Sequence, residues 1–297
     1  MKHQHWGLAW CLAALCCASA ASAATVLERI SAGGKLVIAH RESAVPFSYV
    51  DAASGKPVGY AVDLCLRLAE VVRKKAGAKN MDVEFVMVSP SNRIDMIEQG
   101  KADLECGSTT NNAERRQKVA FSQVYYMMQN RFVGRSDKAA DFADTPEHFK
   151  GKVIAVQEGT PQDNFITARY GDVAKIKRYV NAQSPMLDLQ SSRADYTFGN
   201  MVQLKVGFLD KEMGKQFAFV GPQYNGTQDK ILGEGVAVAL RKKDDKLKSQ
   251  FDGVIRSFVP MHSIVRIDEV ERLGTAKISE AKGGGNVMPF PMPMPEK

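Results

Sequence analysis

The sequence is poor in the residues and motifs that many enzymes use for catalysis. Histidine occurs only five times, and there is no Gly-x-Ser-x-Gly element, no His-Glu-x-x-His element and no Cys/His spacing typical of a metal site. No glycine-rich stretch ends in Gly-Lys-Ser/Thr, so the usual phosphate-binding loop is also missing. We therefore predict no catalytic residue, no cofactor and no metal site.

Long apolar runs are missing after the first 23 residues, where no segment reaches the ~18 apolar residues of a membrane span. Residues 1–23 carry one positive charge at Lys2, then an apolar run over 8–17, and end in Ala-Ser-Ala. This pattern predicts a secretory signal peptide that is cleaved before Ala24. A retained anchor helix is the alternative, and the shortness of the apolar run disfavours it.

Charge of one sign is not concentrated anywhere in the chain. Cleavage after residue 23 would remove Lys2 and lower the formal net charge from +7 to +6. The positive charges are spread along the sequence and form no single basic stripe, which disfavours a nucleic-acid partner and fits mild attraction for anions. The remaining 274 residues suffice for two domains of ordinary size.

Cysteine is also scarce, because three of the five cysteines lie in residues 1–23. Only Cys65 and Cys106 would remain in the exported protein. An even pair in an oxidising compartment suggests one disulfide, whereas two buried thiols that act as small apolar groups are the alternative. Both alternatives stay open at this stage, since the sequence does not give the distance between the two residues.

Hydrophobic periodicity predicts two successive β-α-β-α-β units. The first has strands at 35–39, 83–88 and 103–106 and helices at 59–77 and 93–99. The second has strands at 152–156, 176–180 and 195–198 and helices that begin near 161 and at 186. A strand at 236–240 and a helix at 244–258 follow. Short connections of this kind predict parallel sheets with helices on their faces.

The C-terminal residues differ in composition from the rest. The stretch GGGNVMPFPMPMPEK combines glycines with alternating methionine and proline, which predicts a disordered tail. Copper binding by its methionines is disfavoured because no histidine or cysteine accompanies them.

Polar and basic side chains follow three strands of the first unit. Ligands of open α/β sheets bind beyond the carboxyl ends of the strands. The side chains at these ends are Arg41, Ser89, Ser91, Arg93, Ser108, Thr110 and Arg115. A guanidinium group matches a carboxylate with two hydrogen bonds, so three arginines suit a ligand with more than one anionic group. A surface or structural salt bridge is the alternative for any one of them.

Several segments resemble the periplasmic substrate-binding proteins of polar amino-acid ABC importers (solute-binding protein family 3), and most of all their glutamate/aspartate-binding branch. The segments are HRESAVPFSY, GKPVGYAVDLCLRLAEVV, SNRIDMIEQGKADLECGSTTNNAERRQKVAFS and GKVIAVQEGT, and the likeness covers roughly residues 25–275. The resemblance implies a type II binding-protein fold, in which two α/β lobes with mostly parallel sheets close on a ligand. We expect lobe 1 at 24–130 and 230–278, lobe 2 at 131–229 and the tail at 279–297.

The same resemblance implies a function without covalent chemistry. The protein would be a periplasmic monomer that binds a small acidic ligand and delivers it to the membrane permease of an ABC transporter. In lobe 1, Ser108, Thr110 and Arg115 match residues that hold the ligand α-carboxylate. Arg41 and Arg93 match residues that hold the second carboxylate of glutamate or aspartate.

Two positions depart from the family pattern. Thr160 matches the second-lobe donor to the α-carboxylate, but Asn200 stands where the family has an aspartate for the ligand ammonium. Pro90 replaces a binding serine before Arg93, with Ser91 beside it. We expect Asn200 to accept one hydrogen bond. The ligand is then glutamate or aspartate by default, or a dicarboxylate without an amine.

An enzyme on the same scaffold is the alternative function. The sequence is also similar to periplasmic dehydratases of the cyclohexadienyl dehydratase type, which would need a buried carboxyl group as a general acid. The available candidates are Glu42, Glu105 and Glu158.

Overall fold

The computed structural model describes residues 24–258 of the chain. The predicted signal peptide and the predicted tail lie outside these residues. Nine α-helices occur in the described part: α1 Val26–Ser31, α2 Tyr60–Lys75, α3 Arg93–Glu98, α4 Ala113–Arg116, α5 Pro146–Phe149, α6 Pro161–Tyr170, α7 Ser184–Gln190, α8 Met201–Leu204 and α9 Asp245–Phe258.

Fifteen β-strands accompany them within the same described range. They are β1 Leu36–Arg41, β2 Ser43–Ala44, β3 Ser48–Val50, β4 Pro57–Val58, β5 Val83–Val88, β6 Leu104–Glu105, β7 Thr110–Asn111, β8 Val119–Phe121, β9 Asn130–Arg135, β10 Val153–Gln157, β11 Lys175–Tyr179, β12 Tyr196–Asn200, β13 Phe217–Tyr224, β14 Gly235–Val236 and β15 Ala239–Arg241.

Two five-stranded sheets organise the two lobes. The first has the order β5-β1-β6-β15-β8, and the second has the order β11-β10-β12-β9-β13. In each sheet the central β-α-β-α-β strands pair in parallel, as the sequence predicted. The other two strands of each sheet pair antiparallel. The predicted two-lobed α/β fold is confirmed, but each sheet is mixed.

The antiparallel strands flank the two segments that connect the lobes. The chain leaves the first sheet after β8 and enters the second at β9, and it returns from β13 to β15. The two connecting segments meet where Tyr126 and Val236 form an antiparallel bridge. The predicted strand at 236–240 is split here, because Val236 pairs with β7 whereas Ala239 pairs with β6 and β8. The exact lobe limits stay a prediction.

Alternating side chains of the first sheet fill two hydrophobic layers. Leu36 and Ile38 of β1 pack with the buried side of α2, while Ala39 packs with Ile94 and Ile97 of α3 on the opposite face. This is the period of two that places successive strand residues on opposite sides of a sheet. The layers hold the carboxyl ends of β1 and β6, together with the start of α3, at one edge of the lobe.

Helix α2 is tied covalently to that edge. Its buried stripe includes Val62, Cys65 and Leu68, and Gly77 follows the helix with a φ of +67°. The structure joins Cys65 to Cys106 by a disulfide with a Cα–Cα distance of 6.2 Å. The alternative of two free buried thiols is therefore wrong. Because Cys106 directly follows β6, the bridge anchors the beginning of the polar loop.

An aromatic cluster forms much of the core of the second lobe. Phe132 of β9 lies at its centre, and its ring contacts six others: Phe142, Phe149, Tyr170, Tyr196, Phe198 and Tyr224. Large rings of this kind contribute much of the burial that stabilises a small domain. The cluster fixes α6 against β12, and the ends of these two elements face the first lobe. Among residues 24–258, no helix is long and apolar enough to cross a membrane.

Candidate ligand-binding site

A cavity of about 50 Å³ lies where the carboxyl ends of strands from both lobes meet. Its polar lining includes Arg41 at the end of β1, Arg93 at the start of α3, and Ser108 in the loop after β6. The second lobe contributes Thr160 before α6 and Asn200 at the end of β12. This is the edge of an α/β sheet at which ligands bind.

Three buried arginines and one buried glutamate dominate the first-lobe side. Arg93 is 2% exposed and Glu105 is 0% exposed. The Nε of Arg41, the Nε and Nη1 of Arg93, and both carboxylate oxygens of Glu105 make no hydrogen bond with the described residues. Arg41, Arg93 and Arg115 form no ion pair within 4 Å in residues 24–258. The alternative that they form surface salt bridges is therefore wrong for this part of the chain.

Burial changes the acid–base behaviour of this cluster. Together with the neighbouring charge of Arg93, it lowers the pKa of Arg41 to about 9, while Glu105 opposes the change. Burial likewise lowers the pKa of Arg115 to about 9, with Arg93 adding to the effect. The pKa of Arg93 is also lowered by burial. Three guanidinium groups and one carboxylate leave a net charge of +2 in a dry environment, which favours an anionic occupant.

The polar loop after β6 is organised around Arg115. Asn112 caps α4 by accepting a hydrogen bond from the backbone N–H of Arg115 at 2.9 Å. The guanidinium then donates through Nη1 to the carbonyl of Thr110 at 3.1 Å and through Nη2 to the carbonyl of Gly159 at 3.2 Å. Gly159 belongs to the second lobe. Arg115 therefore connects the polar loop of one lobe with the entrance of α6 in the other.

The second-lobe residues are positioned as helix caps. Thr160 accepts a hydrogen bond from the N–H of Asp163 at 3.2 Å and donates to the carbonyl of Gln157 at 2.7 Å. Asn200 caps α8 through Oδ1, which accepts hydrogen bonds from the N–H groups of Val202 at 2.9 Å and Gln203 at 3.2 Å. Its Nδ2 is buried and has no partner among the described residues. The oxygen that was expected to accept a hydrogen bond from the ligand is therefore already engaged by the cap.

Six of the eight predicted site residues line the cavity: Arg41, Arg93, Ser108, Thr110, Thr160 and Asn200. Arg115 is buried beside them and interacts electrostatically with Arg93 and Glu105. Ser91 does not line the cavity. It is exposed, and its hydroxyl lies 2.9 Å from that of Ser89. The backbone of Ser91 lies instead against Gly159 of the second lobe.

Sequence reasoning missed several lining residues. Met128 comes from a connecting segment, Gln157 ends β10, and Gln162 lies in the first turn of α6. The only available signal was that Gln157 directly follows the predicted strand at 152–156. The role of Glu105 as the charge partner of the arginines was also missed; its side chain is fully buried and does not line the cavity.

The proposed general acids of a dehydratase are poorly placed. Glu42 is exposed, Glu105 is fully buried and Glu158 is half-buried, and none of the three lines the cavity. A general acid must come within hydrogen-bond reach of the reacting group. The geometry disfavours that alternative.

The lobes touch at the rim of the cavity. Besides the bond from Arg115 to Gly159, the backbone N–H of Ala182 donates to the hydroxyl of Ser43 at 3.3 Å. Gly159 also lies directly against the backbone of Ser91. The cavity is thus enclosed by contacts that would be lost if the lobes separated.

Comparison with known proteins gives matches over most of the chain. An L-arginine-binding protein of Pseudomonas aeruginosa is 32% identical over 215 residues, which are 72% of this chain and 79% of that protein. A glutamate/aspartate import solute-binding protein of Salmonella typhimurium is 38% identical over 144 residues, 48% of this chain. That match spans only 46% of the Salmonella protein, so the chain spans about half the length of such relatives.

A solved structure gives a similar result. A mutant of arginine-bound ArgBP from T. maritima superposes with a TM-score of 0.64 at 25% identity and covers 78% of this chain and 99% of that one. The sequence model of the family described as bacterial extracellular solute-binding proteins, family 3, matches residues 36–269 of this chain. The chain belongs to family 3 of the bacterial extracellular solute-binding proteins.

Proposed function

We propose that the protein binds a small solute with two carboxylate groups and delivers it to the membrane permease of an ABC importer. It would act in the periplasm as a monomer, without covalent chemistry. The buried arginine cluster carries the proposal. Family membership supports solute binding, and the names of the glutamate/aspartate relatives support an acidic solute.

The energetics of burial support an anionic ligand. Arg41 and Arg93 keep three guanidinium nitrogens without a hydrogen-bond partner among the described residues. A buried charge is costly unless it is paired and hydrogen-bonded. A carboxylate that accepts from these nitrogens would remove that cost, and hydrogen bonds of this kind are stronger than those between neutral groups. Two carboxylates would balance the net charge of +2 in the cluster.

Arginine is a less suitable ligand, although relatives that bind it match a longer part of the chain. A guanidinium ligand would meet Arg41 and Arg93 across the cavity, with Arg115 beside them. No acidic side chain lines the cavity within the described residues. Like charges in a dry site repel strongly, so the cluster argues against a cationic solute.

Hinge closure would couple binding to delivery. A ligand that contacts Ser108 in one lobe and Thr160 in the other stabilises the arrangement in which the lobes touch. The hydrogen bond from Arg115 to Gly159 strengthens the same arrangement. The permease would then recognise the closed surface.

A thermal-shift and calorimetry screen tests the proposal on the mature protein, residues 24–297. Glutamate, aspartate, glutarate and 2-oxoglutarate are compared with arginine and histidine. A ligand at about a hundred times its dissociation constant adds about 2.7 kcal/mol to the free energy of unfolding, which is readily measured.

Two arginine variants make the screen specific. Arg93→Met should lose the shift with dicarboxylates, whereas Arg135→Met, at a half-exposed arginine paired with Asp137, should keep it. Shifts with arginine or histidine alone would refute the proposal. Release of product from prephenate or arogenate would show the dehydratase instead.

A further inference from the structure

We infer that the preferred ligand is a dicarboxylate with a keto or hydroxyl oxygen where an amino acid has its ammonium group. The inference rests on the proposed function and makes it more specific. It derives from the side chain of Asn200, which is 4% exposed and lines the cavity.

The amide of Asn200 has its orientation fixed by the backbone of α8. Two N–H groups, from Val202 and Gln203, point at Oδ1. A reversed amide would place Nδ2 against two other donors, so this hydrogen-bond network assigns the oxygen to the helix and leaves the nitrogen as the atom available to an occupant of the cavity. Nδ2 is a buried donor without a partner in residues 24–258. A buried donor of this kind requires an acceptor, and the ligand is the group that can supply it.

The charges around the cavity point the same way. Arg41 and Arg93 face it, Arg115 lies beside it, and no carboxylate of the described residues lines it. The acid in the cluster, Glu105, is fully buried and does not line the cavity. An ammonium group would find only neutral oxygens as acceptors and would approach the donor Nδ2, which repels it. Burial of an ammonium group without a counter-charge is costly.

A keto or hydroxyl oxygen reverses each of these effects. It accepts a hydrogen bond from Nδ2 and adds no positive charge to the site. The ligand then carries a net charge of −2, which matches the +2 of the three arginines and Glu105. Specificity between an amino acid and its oxo or hydroxy analogue would therefore be decided by one atom of Asn200.

Two substitutions of Asn200 keep the helix cap and replace the Nδ2 atom. Asparagine, aspartate and serine are all good helix N-cap residues. Asn200→Asp keeps one oxygen on the cap and presents the second oxygen to the cavity. Asn200→Ser keeps the cap and removes the amide donor, since its single hydroxyl oxygen is used by the cap. Neither variant should disturb α8, so changes in affinity report on the ligand contact.

The test is calorimetric titration of the wild-type protein and both variants with glutamate, 2-oxoglutarate, 2-hydroxyglutarate and glutarate. We expect wild-type protein to bind the oxo or hydroxy acid at least about tenfold more tightly than glutamate, because a hydrogen bond to a buried group is gained or lost. Asn200→Asp should shift the preference toward glutamate. Asn200→Ser should lower affinity for the oxo and hydroxy acids to that for glutarate.

The outcomes distinguish this inference from the proposed function. If the wild-type protein binds glutamate at least as tightly as both analogues, the inference is overturned while acidic-solute binding stands. If a folded protein binds none of the dicarboxylates, both fail. Unchanged preferences in Asn200→Asp would also overturn the inference, since they would show that the atom facing the cavity does not contact the ligand.

Discussion

A methyl group added at Gly159 should lower ligand affinity in addition to lowering the free energy of unfolding. Gly159 lies between β10 and α6 with a φ of +66°. A Cβ at this residue would lie 3.0 Å from the Cα and N of Ser91 and 3.3 Å from the carbonyl carbon of Pro90, all across the cleft. Its carbonyl accepts the hydrogen bond from Arg115 at 3.2 Å.

Gly159→Ala should therefore have two separate effects. The left-handed backbone conformation of a residue with a side chain costs about 1–2 kcal/mol, whether or not the lobes touch. The contact with Ser91 matters only when they touch, because Ser91 belongs to the other lobe. If the lobes move apart enough to lose the hydrogen bond from Arg115, the closed arrangement loses about 1.5–3 kcal/mol. Affinity should fall about tenfold to a hundredfold.

Gly151→Ala is the matched control. Gly151 has a φ of +75°, and no heavy atom lies within 4 Å of the position its Cβ would take. It should show the same loss in free energy of unfolding with no loss in affinity. Urea unfolding measures the first quantity, and calorimetry with the tightest dicarboxylate measures the second. Equal affinities of the two variants would refute the idea that contact at Gly159 is needed for closure.

Three further predictions concern charge and crosslinking. Arg93→Met removes a buried guanidinium with two unpartnered nitrogens and should raise the melting temperature of the ligand-free protein. A lower melting temperature would contradict the idea that burying this charge destabilises the protein. Dicarboxylate affinity should be constant from about pH 6 to about pH 8 and should decline above about pH 9. The reason is that burial lowers the pKa of Arg41 and Arg115 to about 9. Because a lowered pKa disfavours the charged form in the folded state, the free energy of unfolding of the ligand-free protein should increase over the same rise in pH. Calorimetry measures the affinity and urea unfolding measures the stability, each at graded pH. If both quantities stayed constant to about pH 10.5, the prediction would be refuted. Replacing Cys65 and Cys106 with alanine opens a loop with a sequence separation of 41 and should cost about 4 kcal/mol by the chain-entropy estimate, seen in urea unfolding. An unchanged unfolding midpoint would count against a formed disulfide.

Much of the fold could be predicted because its signals are local. The period-two and helical patterns of residues 35–106 correspond to β1, α2, β5, α3 and β6, each within a few residues. The antiparallel strands β9 and β13 were not predicted. They carry the chain to and from the connections between lobes, and their pairing partners lie far away in sequence.

The candidate site could be predicted in part for the same reason. Arg41, Arg93 and Ser108 each follow or end a recognisable strand, and strand ends meet at one edge of a sheet. The position of Ser91 could not be predicted, because the turn before α3 decides which side chains reach the cavity, and neither Ser89 nor Ser91 lines it. Met128 carries no local signal, since the path of a connecting segment brings it to the ligand.

The sequence by itself determined which chemical groups are present: arginines, hydroxyls and an asparagine at strand ends, with family membership to support solute binding. Only the tertiary structure decided how each group is used. Glu105 is buried and interacts electrostatically with the arginines, and the carbonyl oxygen of Asn200 is occupied by the cap of α8, so that its nitrogen is left without a partner among the described residues. The physical reason is that the surroundings of an atom decide whether its hydrogen-bonding capacity is already used. Which atom stays free depends on neighbours that only folding brings together.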